Sequence, residues 1–195
     1  MDNITTTFEQ AYLADLNPVP ESRFEELKNM YTEDAKQSPN FSELVKNLLM
    51  IAIVDEQLAE LNYLYSYSLE RTEGKTDFDP EFEKHEEEER GHKYDLIQRL
   101  RELDANVIFT GINEWYQFNS RGNDWRQEFS EDSKTVILNR LKEEEQAVEF
   151  YTLAVGFTRG TDDTTTYTLF KKIKEDEEEH VKDLRDLARD HGFLQ

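Results

Sequence analysis

Six residues of this chain recur, in order and identity, 88 positions later: Glu56, Tyr63, Glu89, His92, Asp95 and Leu96 return as Glu144, Tyr151, Glu177, His180, Asp183 and Leu184. Each half reads Glu, then Tyr seven residues on, then Glu-x-x-His beginning 33 residues after the first Glu. A glycine falls near the middle of each interval, Gly74 in the first and Gly160 in the second. If both legs of an interval are helical, each residue advances about 1.5 Å along the axis, so a chain that climbs to the glycine and descends returns to nearly its starting level. The repeat therefore predicts two helical hairpins, each bringing a Glu and a Glu-x-x-His to one height.

The apolar pattern supplies the four long helices. Ser38-Pro39 offers a helix start with proline in the first turn, and Phe41, Leu44, Val45, Leu48, Leu49 and Ala52 continue one face toward roughly Arg71. Asp79-Pro80 starts the second helix, whose acidic first turn suits the helix dipole and whose apolar side carries Leu96, Ile97, Leu100 and Leu103. The third is expected from about Ser133 to Thr158, with Val136, Ile137, Leu141, Ala147 and Val148 inward. Thr164 to Thr166 provide N-cap candidates for the fourth, which stops at Gly192.

Two segments lie outside these helices. Residues 1–37 read as an N-terminal extension, with Pro18 and Pro20 followed by a short amphipathic helix through Phe24, Leu27, Met30 and Tyr31. Residues 105–130, with Gly111, Gly122, Trp115 and Trp125, break the helical rhythm and read as a crossover clamped by its aromatics. A connection this long is unusual in a compact domain, but a four-helix bundle whose second and third helices run parallel requires one. The expected fold is all-α: an antiparallel four-helix bundle over residues 38–195 with a long second-to-third crossover.

On a helix, positions i and i+3 share a face, so Glu89 with His92 and Glu177 with His180 can each approach one metal ion, with Glu56 and Glu144 facing them. Four carboxylates and two imidazoles form a mainly oxygen donor set suited to two divalent first-row ions, iron first and manganese second. Four ionised glutamates balance two M²⁺ in charge, whereas the empty set should take up protons. Glu-x-x-His arises easily in runs such as HEEEERGH and KEDEEEH, and each motif alone fits an ordinary solvated face. The joint repeat carries the assignment.

Neighbouring candidates fit less well. Glu60, one turn beyond Glu56, has Val148 at its repeat position, and Glu143 and Glu145 read as surface charges. His85 reads as a solvated helix histidine, with transient ligation on the way in as the alternative. His191 reads as a helix C-terminal charge. Tyr63 and Tyr151 are either core rings with a satisfied hydroxyl, or hydrogen-bond partners of the ligands or electron relays. Asp95 and Asp183 stay open between the ligands' surroundings and the surface.

Composition narrows the chemistry. The 195 residues hold 44 acidic and 23 basic side chains, which disfavours nucleic acid and anionic lipid as partners and favours cations. There is no cysteine, so a disulfide framework, a rubredoxin-type iron centre and thiol catalysis are excluded. The first ten residues lack a signal-peptide pattern and no stretch approaches 18 apolar residues, so the expected location is cytoplasmic, with no membrane span.

The stretches IVDEQLAELNY, EEERGHKYDLIQRLRELDA, RLKEEEQAVEFY and FKKIKEDEEEHVKDLRDL resemble bacterioferritin and its ferritin-like relatives, including rubrerythrins and Dps-like ferroxidases, over residues 41–104 and 131–191. The resemblance implies a ferritin-like bundle in which Glu56, Glu89, His92, Glu144, Glu177 and His180 hold two irons about 3.5 to 4 Å apart. It also implies bridging by Glu89, Glu177 or both, with Tyr63 as a family tyrosine near the centre. The implied activity is a ferroxidase that oxidises Fe(II) with O2 or H2O2, in iron storage or detoxification and in a homo-oligomer. A di-metal oxygenase or peroxidase, and a non-catalytic metal-binding module, are the alternatives. Arg90 stands where bacterioferritin has its haem-ligating methionine, so no haem is expected. Ala147 stands where rubrerythrins have a further glutamate, which argues against a peroxide reductase of that type. Most of the 15 residues after His180 are expected to finish the fourth helix, so the fifth helix of 24-subunit ferritins is not expected.

Overall fold

The structure is a computed structural model that describes residues 27–73, 78–105 and 133–195. The predicted turn at Gly74, the proline-containing leader with Phe24, and the crossover residues 106–130 with Trp115 and Trp125 lie outside the described residues. Among the described residues, 27–30 are helical, within the predicted leader helix, and five helices are bounded at both ends: α1 (Glu33–Lys36), α2 (Phe41–Glu73), α3 (Asp79–Glu102), α4 (Ser133–Thr158) and α5 (Thr164–Asp190). Among the described residues there is no strand, and no helix is long and apolar enough to cross a membrane.

Side-chain pairs fix the directions. Lys93 on α3 meets Gln57 and Glu60 on α2, while Tyr63 further along α2 meets Phe82 earlier on α3, so these helices are antiparallel. The same test makes α4 and α5 antiparallel, through Glu145 with Arg185 and Tyr151 with Phe170. Across the hairpins, Tyr63 reaches Glu144 and Tyr151 reaches Glu56, which makes α2 and α4 antiparallel. Helices α3 and α4 are consequently parallel, so the end of α3 and the start of α4 lie at opposite ends of the bundle, as the predicted crossover requires.

Helix ends follow from local chemistry. Helix α2 begins at Phe41, three residues later than the serine-proline signal, because Ser38 to Asn40 form a turn in which Ser38 Oγ accepts from the Asn40 amide. The fourth long helix is capped by Asp163 rather than by the threonines. The Asp163 carboxylate accepts from the Thr166 amide at 3.0 Å, an anion at the positive end of the helix dipole. Gly160 adopts φ 75° at the α4–α5 turn. Gly192, at φ 72°, ends α5: its amide bonds Arg189 O and the next amide, Phe193, bonds Ala188 O at 2.7 Å.

Two apolar layers sandwich a polar one. On one side Leu48, Leu49, Ile53, Leu96, Leu100, Phe157, Phe170 and Ile173 are buried, and Tyr31 before α1 joins them edge-on to Phe157. On the other side lie Tyr63, Phe82, Ile137, Leu141 and Leu184. Burying one such aliphatic side chain contributes about 1.5 to 3 kcal/mol, enough across two layers to hold a charged stratum between them. Ala147 and Val148, expected inward on α4, are only half-buried; Glu144 and Tyr151 take the inward positions instead.

Candidate metal centre

Six sequence-predicted residues meet in the polar stratum: Glu56 from α2, Glu89 and His92 from α3, Glu144 from α4, and Glu177 and His180 from α5. Each is 1–3% exposed. His92 Nδ1 lies 3.2 Å from Glu56, 3.5 Å from Glu89 and 3.4 Å from Glu177. His180 Nδ1 lies 3.1 Å from Glu89, 3.4 Å from Glu177 and 3.6 Å from Glu144. Two four-residue groups result, Glu56–Glu89–His92–Glu177 and Glu89–Glu144–Glu177–His180, and they share Glu89 and Glu177.

One imidazole nitrogen carries at most one proton, so it cannot serve three carboxylates. In keeping with that, His180 Nδ1, Glu89 Oε1 and both Glu177 oxygens are buried without a hydrogen bond. Ligands about 2.1 Å from one ion stand roughly 3.0 to 3.4 Å apart, close to the spacings observed here. The donor set thus fits a divalent ion in each half.

The repeat extends to the surroundings of the six. Tyr63 donates to Glu144, and Tyr151 donates to Glu56. Each tyrosine therefore serves the glutamate of the opposite hairpin rather than its own helix. The outer nitrogens are exchanged too: His92 Nε2 lies 3.0 Å from Asp176, and His180 Nε2 lies 3.0 Å from Glu88. Placing the ring proton on Nε2 leaves Nδ1 free to bind metal, the arrangement by which a carboxylate orients a ligating histidine. Glu88 and Asp176 were missed in the sequence, although an acid directly precedes each motif glutamate. Glu88→Gln with Asp176→Asn is expected to weaken Zn(II) binding about 10- to 100-fold, read by calorimetry. Unchanged affinity would mean that packing alone orients the rings.

Electrostatics express the crowding. Burial, with repulsion from Glu177, Glu56 and Glu144, pushes the Glu89 carboxyl well above its usual range. Burial and Glu177 raise Glu144 likewise. Burial and Glu56 also push Glu177 upward, but the adjacent His180, His92 and Glu144 prevail and hold it low. Burial would strip the proton from His92 and His180, yet surrounding carboxylates outweigh it and raise both. Glu89, Glu144, His92 and His180 thus hold their protons more tightly than they would in water, and two M²⁺ would displace those protons.

His85 is not solvated. It is 0% exposed, stacks on His180 with ring centroids 4.1 Å apart, and is drawn down to about 4 by burial and the neighbouring His180 charge. Phe82, one turn earlier on α3, buries the same stripe, a helical spacing that the acidic run around His85 obscured. Glu60 pairs with Lys93 away from the centre, and Glu143 and Glu145 pair with Arg140 and Arg185. Asp95 faces Lys172 at the surface, while Asp183 accepts from Lys84 at 3.0 Å. His191 caps the end of α5 and packs edge-on to Phe78. Arg90 turns to Glu86 at 2.7 Å.

Residues 46–191 match the model of the ferritin-like domain. The chain belongs to the ferritin-like domain family. Among solved structures it is similar to the bacterioferritin-related protein of Bacteroides fragilis, a dodecameric thioferritin. That similarity has 27% identity and a TM-score of 0.62, and covers 79% of this chain and 92% of the other. No curated protein matches the chain.

Proposed function

We propose that the chain is a di-iron ferroxidase. Glu56, Glu89, His92 and Glu177 bind one Fe(II), and Glu144, Glu177, His180 and Glu89 bind the other. The observation that carries this reading is the pair of buried four-ligand groups sharing Glu89 and Glu177. Two Fe(II) yield two electrons, which with two protons convert O2 to H2O2 or H2O2 to two waters. Tyr63 and Tyr151 hold Glu144 and Glu56 in place, and the buried tyrosine protons stay on. Manganese would suit the same donors, and storage or detoxification of iron is the expected role. Since the similar Bacteroides protein is dodecameric, we also propose a homo-oligomer here; exposed Leu61, Leu64 and Tyr65 mark a candidate face on α2.

Stopped-flow mixing of the Fe(II)-loaded protein with oxygenated or peroxide-containing buffer tests the proposal. Glu56→Ala and Glu144→Ala, which each strip one ion of its unshared carboxylate, are expected to lower the initial oxidation rate at least roughly tenfold, about 1.4 kcal/mol in barrier. Wild-type rates no faster than buffer would favour a metal-binding module without turnover. An oxygenase reading needs an apolar pocket beside the metals. The groove of about 510 Å³ between the N-terminal segment and α4, lined by Tyr31, Val148, Thr152 and Phe157 among others, includes none of the six residues and lends that reading no support.

A further inference from the structure

We propose that Glu81, His85 and Asp183 form a third divalent-cation site, lying outward from the His180 half of the di-metal centre. It goes beyond the ferroxidase reading and does not depend on it. His85 Nε2 lies 3.2 Å from Glu81 Oε1 and 3.8 Å from Asp183 Oδ2. The three ligand atoms fall within 4.8 Å of one another, so one ion can reach all three. One imidazole and two carboxylates suit a first-row divalent metal.

Two observations separate this group from an ordinary acidic surface. The His85 ring is fully buried, and neither nitrogen makes a hydrogen bond. Burying such a group without a partner costs desolvation free energy that an apolar residue in its place would avoid. The other hairpin supplies that comparison, because there the repeat positions of Glu81 and His85 are Leu169 and Ile173. Ile173 is completely buried, so the fold accepts an aliphatic residue at this place.

The lysine beside the site fits the same assignment. Lys84 donates to Asp183 at 3.0 Å and to Glu81 at 3.3 Å, placing an ammonium on the two oxygens that face His85. Its repeat counterpart Lys172 meets Asp95 at 3.5 Å with no histidine or second carboxylate at the positions of His85 and Glu81. A lysine–aspartate pair therefore does not require Glu81 or His85. The Lys84 side chain is 41% exposed and can swing into solvent when a divalent ion replaces its ammonium. Stacking of His85 on His180 makes the site adjoin the centre, where an incoming ion would be held before transfer.

Anaerobic titration of the metal-free full chain with Co(II), followed by visible absorption, tests the assignment. About three equivalents are expected for wild type. His85→Ile, which installs the residue of the other hairpin, is expected to lose about one equivalent while keeping two and the helical circular dichroism. Lys84→Met is expected to tighten the third equivalent by removing its internal competitor. Glu81→Gln with Asp183→Asn provides a second route should His85→Ile fail to fold, and the same loss is expected. Saturation of wild type at two equivalents, or a third equivalent retained in the folded variants, would overturn the site. Neither result touches the di-iron reading, which instead fails if one of the first two equivalents is missing.

Discussion

Glu89→Ala combined with Glu177→Ala is expected to bring metal uptake from about two ions per chain to below one. Each shared glutamate belongs to both four-residue groups, so the double variant leaves each half with one carboxylate and one imidazole. Changing outer partners of a ligand typically costs about 10- to 100-fold in affinity, and removing two of four direct ligands should exceed about 100-fold. The result is asymmetric with single changes. Glu56→Ala damages one half and leaves the Glu144 half complete, so it should impair oxidation while retaining about one tightly bound ion. Anaerobic calorimetric titration with Fe(II) separates these cases, and normal stoichiometry in the double variant would remove the site assignment. Helical circular dichroism must persist for the test to count. The two apolar layers that flank the centre are untouched by these substitutions and are expected to keep the bundle folded.

The hairpins and the six convergent residues were legible because a bundle converts sequence spacing into height. Equal intervals of 33 between Glu56 and Glu89, and between Glu144 and Glu177, become one level when both legs are helical. Helix type was readable for the same reason: Val45, Leu48, Leu49 and Ala52, all buried, repeat with the period of a helix. What escaped was set by contacts between helices. Nothing local to Tyr63 says that its hydroxyl will reach Glu144 on α4 rather than the neighbourhood of Glu56. Glu88 and Asp176 were hidden by composition, since a run of four glutamates gives no reason to prefer the one that meets His180. His85 was misread because charge around it argued for solvent, whereas α5 packs His180 directly over its ring. The capping of α5 turned on one residue: aspartate beat threonine because an ionised carboxylate can bond the Thr166 amide and also receive Arg99 at 2.9 Å.

Metal loading is expected to raise the melting temperature strongly and to reverse its dependence on pH between about 7 and 8.5. Without metal, Glu89, Glu144, His92 and His180 are all raised in the folded chain. A group raised on folding contributes stability below its unfolded value and loses it as pH climbs toward the folded one, so all four act in the same direction. The metal-free protein should therefore melt at lower temperature as pH rises across this window. Glu177 is lowered, and its contribution is lost only in acid, below the ordinary carboxylate range. His85, lowered to about 4, is already neutral in the folded chain here. With Zn(II) bound, the ion replaces the protons, and higher pH favours it by removing its competitor. At about 100 times the dissociation constant each ion adds roughly 2.7 kcal/mol. At about 2–4 °C per kcal/mol for a chain of this size, two ions should raise the melting temperature by on the order of 10 °C. Calorimetric scans at both pH values, with Zn(II) and with chelator, give the comparison. Equal melting temperatures with and without metal would mean that these six side chains do not form a buried cation site.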